Sequence, residues 1–94
     1  MIELGKDAYK VAPRDPLLQE REKTHGSFAN TAKISQEIKT VFSKYGYLGY
    51  KDEHREALDM IATKLARILA GQANFKDHWL DIFGYAKLAS EACD

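Results

Sequence analysis

The spacing of its apolar residues is the feature that most constrains the fold of this chain. Between Phe28 and Tyr45 they recur at intervals of three and four, and they do so again between Asp52 and Gly71. Residues at these intervals return to one side of an α-helix, whereas a half-buried strand alternates apolar and polar residues. The spacing therefore predicts two amphipathic helices, with Ile34, Ile38, Val41, Phe42 and Tyr45 on the apolar side of the first and Leu58, Ile61, Leu65, Ile68 and Leu69 on that of the second.

The residues that flank these two segments are typical of helix ends. Ser27 precedes the first segment and Asp52 opens the second. Either side chain can accept a hydrogen bond from a free amide of the first helical turn, so both are expected to be caps. Gly46 and Gly71 follow the segments, and glycine readily takes the left-handed conformation that ends many helices.

A third long helix is expected from Asn74 to about Glu91, with Asp77 three residues after Asn74 as in a capping box. Its apolar residues surround nearly the whole circumference: Trp79, Leu80, Ile82, Phe83, Tyr85, Ala86, Leu88 and Ala89. A helix that is apolar all round is typically buried, so this one is expected at the centre of the fold. The predicted core combines Trp79 and Phe83 with Ile38, Phe42, Ile61 and Leu65.

The beginning of the chain has a different character. Residues 1–15 show no sustained period and are interpreted as an irregular arm. Asp15 followed by Pro16 is a favourable helix start, and a short helix is expected from there to about Thr24. With no repeat and no strand pattern, the sequence predicts an all-α fold: a small helical bundle of three long helices plus one short N-terminal helix, forming one domain over residues 1–94.

Charge and size narrow the classes of partner. Fourteen basic residues balance fourteen acidic ones, so no net field favours extended nucleic acid or a membrane surface. The absence of a signal-like or membrane-spanning apolar run, together with the single cysteine Cys93, predicts a cytoplasmic protein. A domain this small buries limited surface, and a helix apolar all round leaves surface to cover, so a homodimer or higher homo-oligomer is expected.

Two interpretations of the acidic residues remain open. Asp77 and Asp81 lie four apart on the last helix, where a buried carboxylate needs a partner. In the first interpretation, Asp81 simply forms an ion pair with Lys64 or Arg67. In the second, an acidic cluster across two helices holds magnesium, with Lys64 and Arg67 binding phosphate oxygens. The candidate catalytic residues are then Glu53, Glu56, Asp77 and Asp81, and the candidate metal ligands are Glu56, Asp77 and Asp81.

Other chemistry-bearing residues form weaker patterns. The histidines His25, His54 and His78 do not have zinc-site spacing, and Cys93 has no second thiol to join it. The aromatic segment from Tyr45 to Lys51 has two interpretations: it either closes one end of the core or stacks a nucleotide base beside a lysine.

Several of these residues together resemble known families. The run Arg21–Phe28, then Arg55–Leu58 with Lys64 and Arg67, then Asp77, Trp79, Asp81, Gly84 and Tyr85 resemble a family of short phage and prophage proteins of unknown function. The acids on two helices, Glu53 with Glu56 and Asp77 with Asp81, also look like those of the MazG-type all-α nucleoside triphosphate pyrophosphohydrolases.

The resemblance implies a phage-type, MazG-like protein that binds a nucleotide or its phosphates. It also implies Mg²⁺ as cofactor, subunits that pair, and hydrolysis of the bond between the α and β phosphates. Two alternatives stay open beside it. One is a non-catalytic phage module that sequesters a nucleotide signal, and the other is a protein-binding inhibitor of a host factor.

Overall fold

The computed structural model describes residues 15–25 and 27–94, with the side chains of 15–20 and 27–94. Apart from Asp15, the predicted arm lies outside this part of the chain. Four α-helices follow one another: α1 is Pro16–His25, α2 is Phe28–Lys44, α3 is Asp52–Arg67 and α4 is Lys76–Glu91. No strand occurs among these residues, so the predicted all-α bundle of three long helices and one short helix is confirmed.

Most of the predicted helix ends are confirmed. Asp15 caps α1, since its Oδ1 accepts the amide of Leu17 at 2.7 Å. Ser27 is the N-cap of α2, and its hydroxyl accepts the amide of Asn30 at 3.4 Å. Gly46 has a φ of 85°, the left-handed conformation expected after α2.

Two starting points differ from the prediction. Lys51 occupies the N-cap of α3, so Asp52 is not the cap but the first helical residue, and it shares the first turn with Glu53. The last helix begins at Lys76 rather than Asn74. Acids in a first turn are stabilised by the helix dipole, which accounts for Asp52 without a capping hydrogen bond.

The connection between α3 and α4 contains a helical turn of its own. The α-helix ends at Arg67 and continues as a π-helical turn, Ile68–Gln72. Inside that turn Gly71 has a φ of 125°, which confirms the expected positive φ at the end of this segment. Such a φ is strained for any residue with a Cβ, so glycine is required for the chain to turn towards α4.

The position of α4 contradicts the prediction. The central helix is α3, which contacts both α2 and α4, whereas α4 lies at the edge of the bundle. Trp79 and Phe83 are exposed, so they do not join the predicted core, while Ile38, Phe42, Ile61 and Leu65 are only partly buried. A helix at the edge of a bundle has one neighbour and buries only the side that faces it. The other sides stay exposed even when they are apolar.

Small side chains fill the places where the helices meet. The buried apolar residues of the described chain are Ala57, Ala62, Ala66 and Ile68. Thr31 and Ser35 are the buried residues of α2, the helix that packs against α3. Small residues allow helix backbones to approach closely, but they contribute little apolar area to a core. None of the described helices is long and apolar enough to cross a membrane.

Candidate functional site

A groove runs along one side of the α3–α4 pair and passes over two adjoining cavities. The first, about 440 Å³, is lined by Asp52, Glu53, Glu56, Ala57, Tyr85 and Leu88. The second, about 310 Å³, is lined by Leu80, Asp81, Gly84, Tyr85 and Leu88. Because Tyr85 and Leu88 border both cavities, the two form one continuous surface, the α3–α4 groove.

The two helices run antiparallel, which decides what each end of the groove contains. Lys51, just before α3, donates to the carbonyl of Ala92, just after α4. At the other end of the pair, Lys64 contacts Asp81. The first turns of α3 therefore lie beside the last turns of α4, and the groove has an acidic end at Glu53 and Glu56.

Glu53 and Glu56 are exposed and lie three residues apart, so both carboxylates point from the same side of α3. Their place in the first turns of the helix favours acids through the dipole alone. The cavity beside them adds a second property, an apolar floor made by Tyr85 and Leu88. The acidic end thus offers carboxylate oxygens next to an aromatic ring.

Lys64 and Asp81 form an ion pair at the other end of the groove, with 2.9 Å between Nζ and Oδ2. This is the partner expected for Asp81 in the first interpretation of the acids, and the structure confirms the contact. The Lys64 side chain is 20% exposed and that of Asp81 is 46% exposed. The Asp81 side chain is therefore much more exposed to solvent than a carboxylate on a buried central helix would be.

Arg67 and Asp77 lie beyond this pair. Arg67 follows Lys64 by three residues on α3, and its Nε is buried without a hydrogen-bond partner among the described residues. Asp77 is exposed in the first turn of α4, four residues before Asp81. Both residues lie near the end of the helix pair opposite Glu53, one turn beyond the residues of the ion pair.

The candidate metal ligands are not gathered at one point. In the part of the chain that the structure describes, no three His, Cys, Asp or Glu residues form a group that could hold a metal ion. Glu56 lies beside Tyr85 and Leu88, while Asp81 contacts Lys64, eight residues further along α3. Eight helical residues span about 12 Å, too far for Glu56 and Asp81 to share one ion.

A second surface feature is the aromatic turn between α2 and α3. Tyr47 packs its ring on Phe42, with 5.4 Å between centroids, and donates its hydroxyl to Asp59 at 2.8 Å. This hydrogen bond to a carboxylate, with burial, raises the pKa of the Tyr47 phenol. Tyr47 therefore anchors the end of the bundle, as the core-closing interpretation expects, while Tyr45 and Tyr50 remain exposed.

His54 and Cys93 border an apolar cavity formed by α3 and α4. The Nε2 of His54 is 3.0 Å from the carbonyl oxygen of Ala89 and 3.7 Å from the Cys93 sulfur. A nitrogen that donates to a carbonyl carries its proton and is unable to accept another from a thiol. The pair therefore lacks the geometry of a nucleophile with its base.

Sequence reasoning missed the roles of two sets of residues. Tyr85 and Leu88 make the groove floor, and their spacing from Asp81, four and then three residues, is the signal that places all three on one side of α4. His78 is the other omission: it is 2% exposed, and its Nε2 lies 2.8 Å from the Gln72 side-chain oxygen. The burial of His78 depends on the conformation of the turn before α4, and the spacing of residues in the sequence does not predict that conformation.

Comparison with known proteins gives a single result. Residues 13–93 match the sequence profile of a family described as a domain of unknown function, DUF6378. No curated protein matches significantly, and no solved structure does. The match covers the four helices and the groove.

Proposed function

Because this chain belongs to DUF6378, a family without an assigned function, we propose a function from the α3–α4 groove: it binds the phosphates of a nucleotide through magnesium. One observation carries the proposal. A single groove has two carboxylates at one end, an aromatic and apolar floor in its middle, and the Lys64 cation at its other end. Carboxylates can hold magnesium on a phosphate chain, an aromatic floor can stack a base, and a cation can bind phosphate oxygens.

The residues present fit magnesium in a particular form. Mg²⁺ keeps several waters and is commonly held by one or two carboxylates together with substrate phosphates. Glu53 and Glu56 supply two carboxylates from one side of α3, which suits a magnesium–nucleotide complex and does not suit a free ion. Magnesium would neutralise phosphate charge that the acidic end of the groove otherwise repels.

The basic residues and the remaining acids have separate roles in this proposal. Lys64 and Arg67 provide positive charge for phosphate oxygens. Asp81 holds Lys64 in place, and Asp77 lies one turn before it. In the enzymatic form of the proposal, the two aspartates are the candidate acid–base groups.

The resemblance of the acids on α3 and α4 to those of MazG-type enzymes supports the same class of ligand. Hydrolysis between the α and β phosphates is the enzymatic form of the proposal. Retention of the nucleotide without turnover is its sequestering form. Release of pyrophosphate, measured in the same samples as binding, separates the two forms.

Thermal shift across a panel of nucleoside mono-, di- and triphosphates, each with and without magnesium, tests the proposal. A ligand that binds the native state stabilises it by about 2.7 kcal/mol when present at a hundredfold excess over its Kd. We expect a shift for at least one nucleotide with magnesium. We expect its loss in Glu53→Gln and Glu56→Gln, whereas Glu37→Gln, an exposed glutamate of α2, should behave as the native protein.

Absence of any shift across the panel would contradict nucleotide binding and would leave inhibition of a host factor by direct protein contact as the better explanation. A shift that persists in both glutamate variants would contradict the assigned site while leaving nucleotide binding intact.

A further inference from the structure

The outward side of α4 is a second surface, distinct from the groove acids. The side of α4 that faces α3 carries His78, Ile82, Tyr85 and Ala89, which are buried or partly buried. Trp79, Leu80 and Phe83 lie on the remaining circumference and are exposed, Phe83 to 68%. We name these three residues, with Lys76, Lys87 and Glu91 along the same helix, the α4 outer face.

Trp79 is held in place on this face. Its indole N–H donates to the carbonyl oxygen of Ala73 at 2.8 Å, so the ring is fixed to the turn before α4 while half of it stays in water. A rigid aromatic side chain loses little conformational freedom on association. Tryptophan is also among the residues that most often carry the binding energy of protein interfaces. The α4 outer face therefore has a preorganised anchor.

The small size of the core indicates that a partner buries the α4 outer face in the functional protein. The buried apolar residues of the described chain are three alanines and Ile68, which is a small core for four helices. Trp79, Leu80 and Phe83 leave roughly 400 Å² of surface in water, about half of the 800 Å² that one partner contributes to a stable interface. A partner that stabilises the fold must be available wherever the protein is present. A second copy of the same chain always is.

The charges on the face fit a second copy in one orientation. In a twofold pair of antiparallel α4 helices centred on Phe83, residues at equal distances before and after the centre face each other, so position 76 faces position 90 of the partner and lies next to position 91. Lys76 then lies beside the partner's Glu91, and Lys87 lies beside the partner's Trp79. The first contact joins opposite charges and the second places a cation against an indole ring. A parallel pair would instead set Lys76 against Lys76.

We propose that two copies of this chain associate through α4, antiparallel and twofold, with Phe83 at the axis and Trp79 as the anchor on each side. Glu91 already contacts Lys87 of its own chain at 3.6 Å, and it is exposed enough to serve the partner's Lys76 as well. The acidic end of the groove, at Glu53 and Glu56, is not part of this interface. Dimerisation and nucleotide binding are therefore tested independently.

Sedimentation equilibrium and light scattering on the intact chain test the proposal. The native protein should have twice the mass of one chain. Phe83→Asp places two charges at the axis and should weaken association by at least about a hundredfold. Tyr45→Asp is the matched control, because Tyr45 is an equally exposed aromatic residue at the end of α2 and should leave the dimer intact.

A charge exchange tests the orientation without removing apolar surface. Lys76→Glu and Glu91→Lys should each weaken the dimer about three- to tenfold, since each disturbs two symmetry-related pairs. The double variant should restore the native affinity. Both positions are exposed, so this series is informative even if Phe83→Asp does not fold.

Three results would overturn the proposal. The first is a native chain that stays monomeric at its highest soluble concentration. The second is a folded Phe83→Asp variant that still dimerises as the native chain does. The third is a double charge exchange that fails to recover what the single exchanges lose, which would exclude the antiparallel pairing about Phe83.

Discussion

The Lys64–Asp81 ion pair shows how exposure, rather than contact alone, sets what a residue contributes. A fully buried pair that loses one partner costs several kcal/mol, because an uncompensated charge remains in a medium of low dielectric constant. Here nearly half of the Asp81 side chain is in water, so solvent already screens the pair. The contact positions Lys64 at the groove more than it stabilises the fold.

Replacement of Asp81 by Asn should therefore lower the free energy of unfolding by about 0.5–1 kcal/mol, the range for partly exposed pairs. Urea denaturation measures the change, and Asp94→Asn, which removes the more exposed pair with Lys51, should cost less. Because Asp81 holds Lys64 at the groove, nucleotide affinity should fall in the variant. A loss of 3 kcal/mol or more would show that the pair behaves as a buried one.

Tyr47 gives a prediction in the alkaline range. Its pKa is raised by the hydrogen bond to Asp59, so the folded state favours the protonated phenol. The stability gained in this way is fully present below the unfolded pKa, about pH 10. It is lost as the pH rises through the higher folded value.

Tyr47→Phe should therefore be less stable than the native chain near neutral pH, and the difference should shrink above about pH 10. Denaturation at a series of pH values measures it. Tyr50→Phe is the control, since Tyr50 is exposed and is not the partner of Asp59. A native–variant difference that grows with pH would contradict the assigned hydrogen bond.

At the level of the helices, the end of α3 determines how α4 docks. The π-helical turn Ile68–Gln72 and the positive φ of Gly71 redirect the chain, and His78 and Trp79 then bond to Gln72 and Ala73. The turn is thus fixed by the first residues of the helix that follows it. This arrangement sets which turn of α4 lies beside Lys64, and with it the composition of the groove.

Two glycine substitutions separate this requirement from ordinary helix propensity. Gly71→Ala should destabilise the chain by about 1–3 kcal/mol, because alanine is strained at a φ of 125°. Gly84→Ala on α4 should stabilise it by up to about 1 kcal/mol, since the added methyl group meets open space in a regular helix. Thermal or urea denaturation compares them, and equal effects of the two changes would contradict the assigned turn.

For the molecule as a whole, the sequence predicted the elements well and their arrangement poorly. Apolar spacing, Ser27 and Gly46 are local signals, and each predicted helix is present. The same spacing did not identify α3 as the central helix. Exposed apolar residues such as Trp79 and Phe83 give the same sequence pattern as buried ones. The offset between α3 and α4 depends on the turn at Gly71, so the separation of Glu56 from Asp81 was not predictable either.

In the two proposals, the groove is the side of the molecule that binds a ligand and the α4 outer face is the side that associates with a second copy. Glu53, Glu56 and Lys64 belong to the groove, and the aromatic residues Trp79 and Phe83 belong to the α4 outer face. Only Leu80 belongs to both. Changes at Glu53 or Glu56 are therefore expected to alter ligand binding without altering the mass of the assembly.

Isothermal titration with magnesium alone, with a nucleoside triphosphate alone and with the two together tests the proposed groove most directly. Two carboxylates hold magnesium only with phosphate oxygens as further ligands, so we predict binding heat for the mixture and little for either component. Glu53→Gln and Glu56→Gln should abolish that heat, whereas Glu37→Gln should retain it. The absence of heat from every magnesium–nucleotide mixture, or the same heat in both glutamate variants, would contradict the proposed groove.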